Sequence, residues 1–422
     1  VSTYTLEHYR ELASTLFDNV ASMGPDTKGV SRPAFSEIET KVLEYLADIG
    51  RKHGLLVDCD AGKNIIFRTS LDDENAPYKL IGSHVDSVPM GGNYDGLAGV
   101  VAALLCLIDI QARGEKLATP VRAIAMRAEE SAWFGPCYIA SKMLTGTLKE
   151  QEYMSRQKSD KRPMLEHMSD IGIDTSLVEA GRPLGDLKSI SEYIELHIEQ
   201  GPLLVERDLP AAVVSGIRGN IRYPCVECIG VAGHSGAVPR AYRHDPVLAM
   251  ADLLHRLDES WLTVLQKGED MVMTSGIVST DPKRHAMSRI PDMIGFSLEV
   301  RSQSAETLDQ MVELLQQEAA QIARERKVRF EFGDQLRTEP ALMDPKIVEG
   351  LERAMDRAGL NAFTMPSGGG HDAAVFSNAG IPSGMIFVRN RNGSHNPDEA
   401  MEVSDFIAAS SVINEYLQGS DD

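Results

Sequence analysis

Several short apolar runs in this chain end in, or lead directly into, an imidazole or a carboxylate. "YKLIGSH" closes on His84, "PVRAIAMRAEE" on Glu129 and Glu130, and "EYIELHIEQG" carries His197 near its end. "SGMIFVR" leads into "NGSHNPDE" with His395. Runs this short, bounded by turn residues, read as buried strands. Helical patterns alternate with them. "SEIETKVLEYLADIGRKHGL" has helical spacing and stops at a Gly, 97–112 is an apolar helix, and "YIASKMLTG" reads as helix. Such alternation predicts a three-layer α/β domain. In α/β sheets ligands gather at the carboxyl ends of strands, which is where these side chains fall.

From about residue 212 the pattern changes. Strands are expected at 213–219, 223–231, 271–279, 293–301 and 328–332, with helices at 245–266 and 304–326. That order suggests a small α+β domain inserted at 212–330. The main domain would then be discontinuous, 1–211 with 331–422, and two domains suit 422 residues.

A formal charge of −20 argues against nucleic acid or an anionic membrane as partner, though not against a small anionic substrate met by local basic residues. No run of eighteen apolar residues exists to span a membrane. "VSTYTLEHYRELAST" lacks the regions of a signal peptide. Five cysteines, an odd and sparse set, read as reduced thiols, so a cytoplasmic location is expected. "CVEC" at 225–228 has the spacing of half a zinc site, but it sits in an alternating strand. Its two thiols would face opposite sides.

A lone histidine or an "EE" pair is usually an ordinary surface or core feature. Here one Asp, one Glu and three His fall together at strand-end loops. Imidazole with carboxylate suits zinc, manganese, cobalt or nickel. Five ligands are the count for two ions sharing one carboxylate, an arrangement used in hydrolysis.

The motifs "GSHVDSVPMGGNYDG", "EESAWFG", "HIEQGP", "GVAGHSG", "SGGGHDA" and "NGSHNPDE" occur in that order. Together they resemble the M20-type metallopeptidase superfamily, and within it the hydantoinase/carbamoylase branch of amidases. The likeness runs over nearly the whole chain. It implies a mixed sheet with a binuclear metal site, and a ferredoxin-like insert acting as lid and dimerisation domain. It implies that His84 and His197 bind one ion, Glu130 and His395 the other, and that Asp95 bridges them. Asp86 would orient His84 from behind. Glu129 would be the general base, taking a proton from the attacking water and passing it to the leaving nitrogen. His234 would stabilise the oxyanion from the other subunit of a homodimer, Arg301 would pair with a substrate carboxylate, and Gln200 would touch substrate. One departure stands out. The branch carries an Asn where this chain has Ser288, which cannot offer both a carbonyl and an amide. His285 and Arg289 are the neighbours able to compensate. The implied reaction is hydrolysis of a linear non-peptide C–N bond, with an N-carbamoyl amino acid or a related ureido acid as the substrate. N-acyl amino acid deacylation or dipeptide cleavage is the alternative on the same fold.

Overall fold

The computed structural model describes residues 6–284 and 286–419. The chain divides into two compact units, one joining the stretch up to Ser215 with that from Leu342, the other Gly216–Ala341.

The larger unit is built on a nine-stranded mixed sheet. Its centre is four parallel strands in the order Val121–Met126, Tyr78–His84, Ile190–Ile198 and Ser383–Val388. These strands are buried along most or all of their length, as parallel strands covered on both faces are. Alternation in Ile190–Ile198 then decides function. Ile194, Leu196 and Ile198 join the main apolar core with helix Leu97–Arg113. Tyr193, Glu195 and His197 take the other face, where Tyr193 stacks on Phe376 of helix Asp372–Asn378.

One expected element belongs elsewhere. The strand expected at 213–219 to open the insert is Ala211–Ile217, which pairs antiparallel with Ser383–Val388 in the large sheet. It is buried at nearly every residue, so its apolar run gave no hint of which unit it served. The far boundary also moves, because Leu336–Thr338 pairs with Gly219–Ile229.

The smaller unit runs strand Gly219–Ile229, helix Pro246–Gln266, short strands Val272–Thr274 and Val278–Ser279, strand Met293–Ser302, helix Ala305–Arg326 and strand Arg329–Phe332. With the two short strands counted as one interrupted strand, this βαββαβ order, with Gly219–Ile229 and Met293–Ser302 central and these pairs antiparallel, is ferredoxin-like. The single strand expected at 271–279 is two short ones. Cys225 is exposed and Cys228 buried on the same strand, so they share no metal.

Among the described residues no helix is long and apolar enough to cross a membrane.

Candidate metal centre

The carboxyl ends of the four parallel strands converge on Asp95. Its two oxygens face different partners. Oδ1 lies 3.0 Å from His197 Nε2 and 3.6 Å from His84 Nε2. Oδ2 lies 3.4 Å from His395 Nε2, which is itself 3.3 Å from Glu130 Oε1. Two groups with metal-ligand spacing therefore share one carboxylate: His84, Asp95 and His197, and Asp95, Glu130 and His395.

The histidines turn the correct nitrogen inward. His84 Nδ1 lies 3.1 Å from the Asp86 carbonyl and 3.3 Å from Asp86 Oδ1, and His197 Nδ1 lies 3.0 Å from the Ile198 carbonyl. A proton held there leaves each Nε2 lone pair for a cation. Asp86 has a second task. It accepts the backbone N–H of Glu129 on Oδ1 at 2.9 Å and that of Glu130 on Oδ2 at 3.0 Å. One carboxylate thus ties the His84 imidazole to the loop after strand Val121–Met126.

The glycines of "GGNYDG" answer to close packing. Gly96 has φ +67°, and a Cβ there would stand 2.3 Å from the His84 ring. No other residue lets Asp95 turn toward His84 while helix Leu97–Arg113 begins at once.

The electrostatics call for cations. Burial opposes protonation of His84, but Asp86, Asp95 and Glu130 outweigh it and push its pKa up to about 10. Pairing with Asp95 and Glu130 pushes His395 to about 10 as well. Glu130 Oε1 is buried, and apart from His395 Nε2 at 3.3 Å, which forms no well-aligned hydrogen bond with it, nothing among the described residues satisfies it. A buried acceptor left so is costly unless a cation meets it. Donor chemistry, the orphaned oxygen and the shared carboxylate all fit a dinuclear divalent-metal site. A third cluster, Glu195, His197 and His371, does not. Glu195 already accepts from Ser83 Oγ at 2.7 Å and Ala373 N at 2.8 Å, and His371 Nε2 is paired with Ser367 Oγ at 2.8 Å.

Proton competition follows with a definite sign. The raised histidine pKa values mean that below about pH 10 a metal must displace protons to bind. Apparent zinc affinity, measured by chelator competition, should weaken about tenfold per pH unit for each proton displaced as pH falls from 8 to 6. An affinity flat across that range would contradict the electrostatics described here.

Glu129 lies beside the cluster without belonging to it. Its Oε2 is 3.9 Å from His84 Nε2. Burial, then Glu130, Asp372, Cys137 and Asp86, hold its pKa well above the ordinary carboxylate range. Gln200 Nε2 donates to Asp95 Oδ2 at 3.0 Å, and Ser394 Oγ donates to the same oxygen. Glu399 takes the N–H groups of Tyr94 and Asp95 at 2.8 and 3.2 Å. Arg32, fully buried, donates to the Val85 carbonyl at 2.6 Å and to Asn93 Oδ1 at 2.9 Å.

His234, Ser288 and Arg301 lie in the smaller unit. His234 pairs across a two-stranded ribbon with Arg289. Its Nδ1 accepts from Gly236 N at 3.2 Å, so the ring proton sits on Nε2 as a donor. The Ser288 carbonyl accepts from Ser235 N at 2.9 Å, and its side chain is exposed. Arg301 lies 3.0 Å from Glu299. His285 lies outside the described residues.

Sheet and site are those of a hydrolase whose clustered side chains fit a dinuclear divalent-metal site. The chain belongs to peptidase family M20/M25/M40, whose model matches residues 80–419, and within it to the hydantoinase/carbamoylase branch. It is 33% identical over 391 residues to an N-carbamoyl-L-amino acid amidohydrolase of Geobacillus stearothermophilus, covering 91% of this chain and 92% of that protein. It is 28% identical over 403 residues, 95% of each, to an allantoate amidohydrolase of Escherichia coli. A hydantoinase/carbamoylase family amidase from Burkholderia ambifaria superposes with TM-score 0.84 at 25% identity, over 97% of this chain and 96% of that one.

Proposed function

We propose that the chain hydrolyses the carbamoyl C–N bond of an N-carbamoyl amino acid or a related ureido acid. Water adds to the carbamoyl carbon, and amine, carbon dioxide and ammonia leave. The carrying observation is Asp95 divided between two ligand groups, with Glu129 buried beside them and outside both. The names of the relatives support the substrate class. Bound zinc, manganese, cobalt or nickel would supply Lewis acidity and a water acidic near neutral pH. His84, Asp95, Glu130, His197 and His395 would hold the ions. Glu129 would move the proton from water to the leaving nitrogen. His234 Nε2, contributed by the second subunit of a homodimer, would meet the oxyanion. Arg301 would pair with the substrate's carboxylate, and Ser288 would shape the pocket for its polar head. Gln200, aimed at Asp95, would touch substrate from beside the ions.

The test is product analysis of the metal-loaded protein on N-carbamoyl amino acids, ureidopropionate, allantoate and matched N-acetyl amino acids. Ammonia from a ureido compound, abolished by chelator, is the expected result. Acetate without ammonia would move the protein to deacylation and overturn the reading.

A further inference from the structure

The loop that carries Glu129 and Glu130 is gripped by carboxylates on three successive N–H groups. Glu129 N and Glu130 N go to Asp86. The third, Ala128 N, goes to Glu39 Oε1 at 3.0 Å. Glu39 is fully buried in the first turn of helix Glu37–Lys52. Its other oxygen accepts from Phe35 N at 2.9 Å and Arg127 NH1 at 2.7 Å. Arg127 is itself anchored to the Lys63 carbonyl at 2.7 Å, and its N–H to Asn64 Oδ1 at 3.1 Å.

Both backbone donors to Glu39 stand in strained conformations. Phe35 has φ +56° and Ala128 φ +51°. Side chains other than Gly resist that region, and it persists only where surroundings hold it. One carboxylate holds both. Ala128 lies between the end of the buried strand Val121–Met126 and Glu129, so its left-handed backbone sets the direction in which Glu129 leaves the sheet.

We propose that Glu39 is a positioning residue for Glu129: it locks the left-handed turn at Ala128 and so aims the neighbouring carboxylate. This rests on the reading of Glu129 as the general base. Glu39 touches no ligand of the metal cluster, and Glu130 keeps its own tether to Asp86. Loss of Glu39 should therefore separate turnover from metal binding.

The test compares wild type, Glu39→Gln and Glu39→Asp, each loaded with zinc. Gln cannot accept from all three donors. Asp keeps the charge opposite Arg127 but retracts it by about 1.5 Å, which provides a folded variant if Gln proves too disruptive. Zinc content should stay at two ions. The Ala128 amide should exchange with deuterium at least about tenfold faster. On the ureido acid that wild type turns over, kcat should fall about tenfold to a hundredfold, the scale of a small misplacement, with KM changed by less than about threefold. A folded variant with unchanged Ala128 exchange, or a loss of kcat that tracks loss of zinc, would overturn the proposal. Should wild type turn over no panel compound, the base reading fails there, while exchange and zinc content still decide whether Glu39 holds the turn.

Discussion

Replacing Glu129 with Gln should lower kcat by about a hundredfold to ten-thousandfold and leave both metal ions in place. The first half follows from chemistry. Gln keeps the shape of Glu but cannot carry a proton at neutral pH, and a positioned general base contributes about 10²–10⁴ to rate. The site favours the protonated form of this carboxyl. Burial and the neighbouring Glu130 raise its pKa well above the usual carboxylate range, and cations bound in the cluster would draw it back down. The second half follows from geometry. Both ligand groups are complete without Glu129, and its nearer oxygen is 3.9 Å from His84 Nε2, beyond a hydrogen bond. Its backbone N–H stays on Asp86 whichever side chain it bears. Stopped-flow or steady-state rates, with metal content on the same sample, decide the matter. Wild-type turnover would remove Glu129 from the mechanism. Loss of one ion would make it a ligand instead.

What the sequence made legible was whatever period and residue type encode. Strand ends were readable because apolar runs stop where chemistry starts, and four such ends converge on Asp95. The ferredoxin-like order of the smaller unit came only with the family resemblance, but the unit was readable as an α+β insert because its helices and strands alternate in distinct periods. Its boundary was not, since Ala211–Ile217 is buried in the large sheet and its pairing partner lies about 170 residues away in sequence. The supporting residues were hidden for a different reason. Glu39 reads as an ordinary first-turn acid after the N-cap Ser36, and nothing local shows that it reaches Ala128. Arg32 and Glu399 received no individual role from the sequence, because the groups they hold, Val85 and Tyr94, lie far away in the chain. Their signal exists only in three dimensions. The "RPAFSEIE" segment nevertheless held a clue, in that three charged residues, Arg32, Glu37 and Glu39, lie close around a short apolar stretch at a helix start.

Asp95→Asn should cost the protein its dinuclear centre, with at most one ion retained and kcat down by at least about a thousandfold. Two effects oppose each other. Asp95 helps raise the pKa values of His84, His197 and His395. Removing its charge relaxes proton competition and by itself favours metal binding, by about tenfold for each pKa unit released. Against this stands the loss of an anionic ligand common to both groups. The Asn amide nitrogen is a donor and cannot serve as a ligand whichever way it turns. Turned one way it replaces the oxygen beside His84 and His197; turned the other it faces the donors Gln200 Nε2 and Ser394 Oγ. Each ion loses charge neutralisation, and one loses its oxygen outright, because an amide offers one acceptor where a carboxylate offers two. Relaxed competition acts on each histidine alone, whereas the missing charge acts on both ions at once, so the loss wins. Calorimetric zinc titration reads the outcome directly. Two ions bound with wild-type affinity would mean that Asp95 does not bridge, and that the two ligand groups are independent sites.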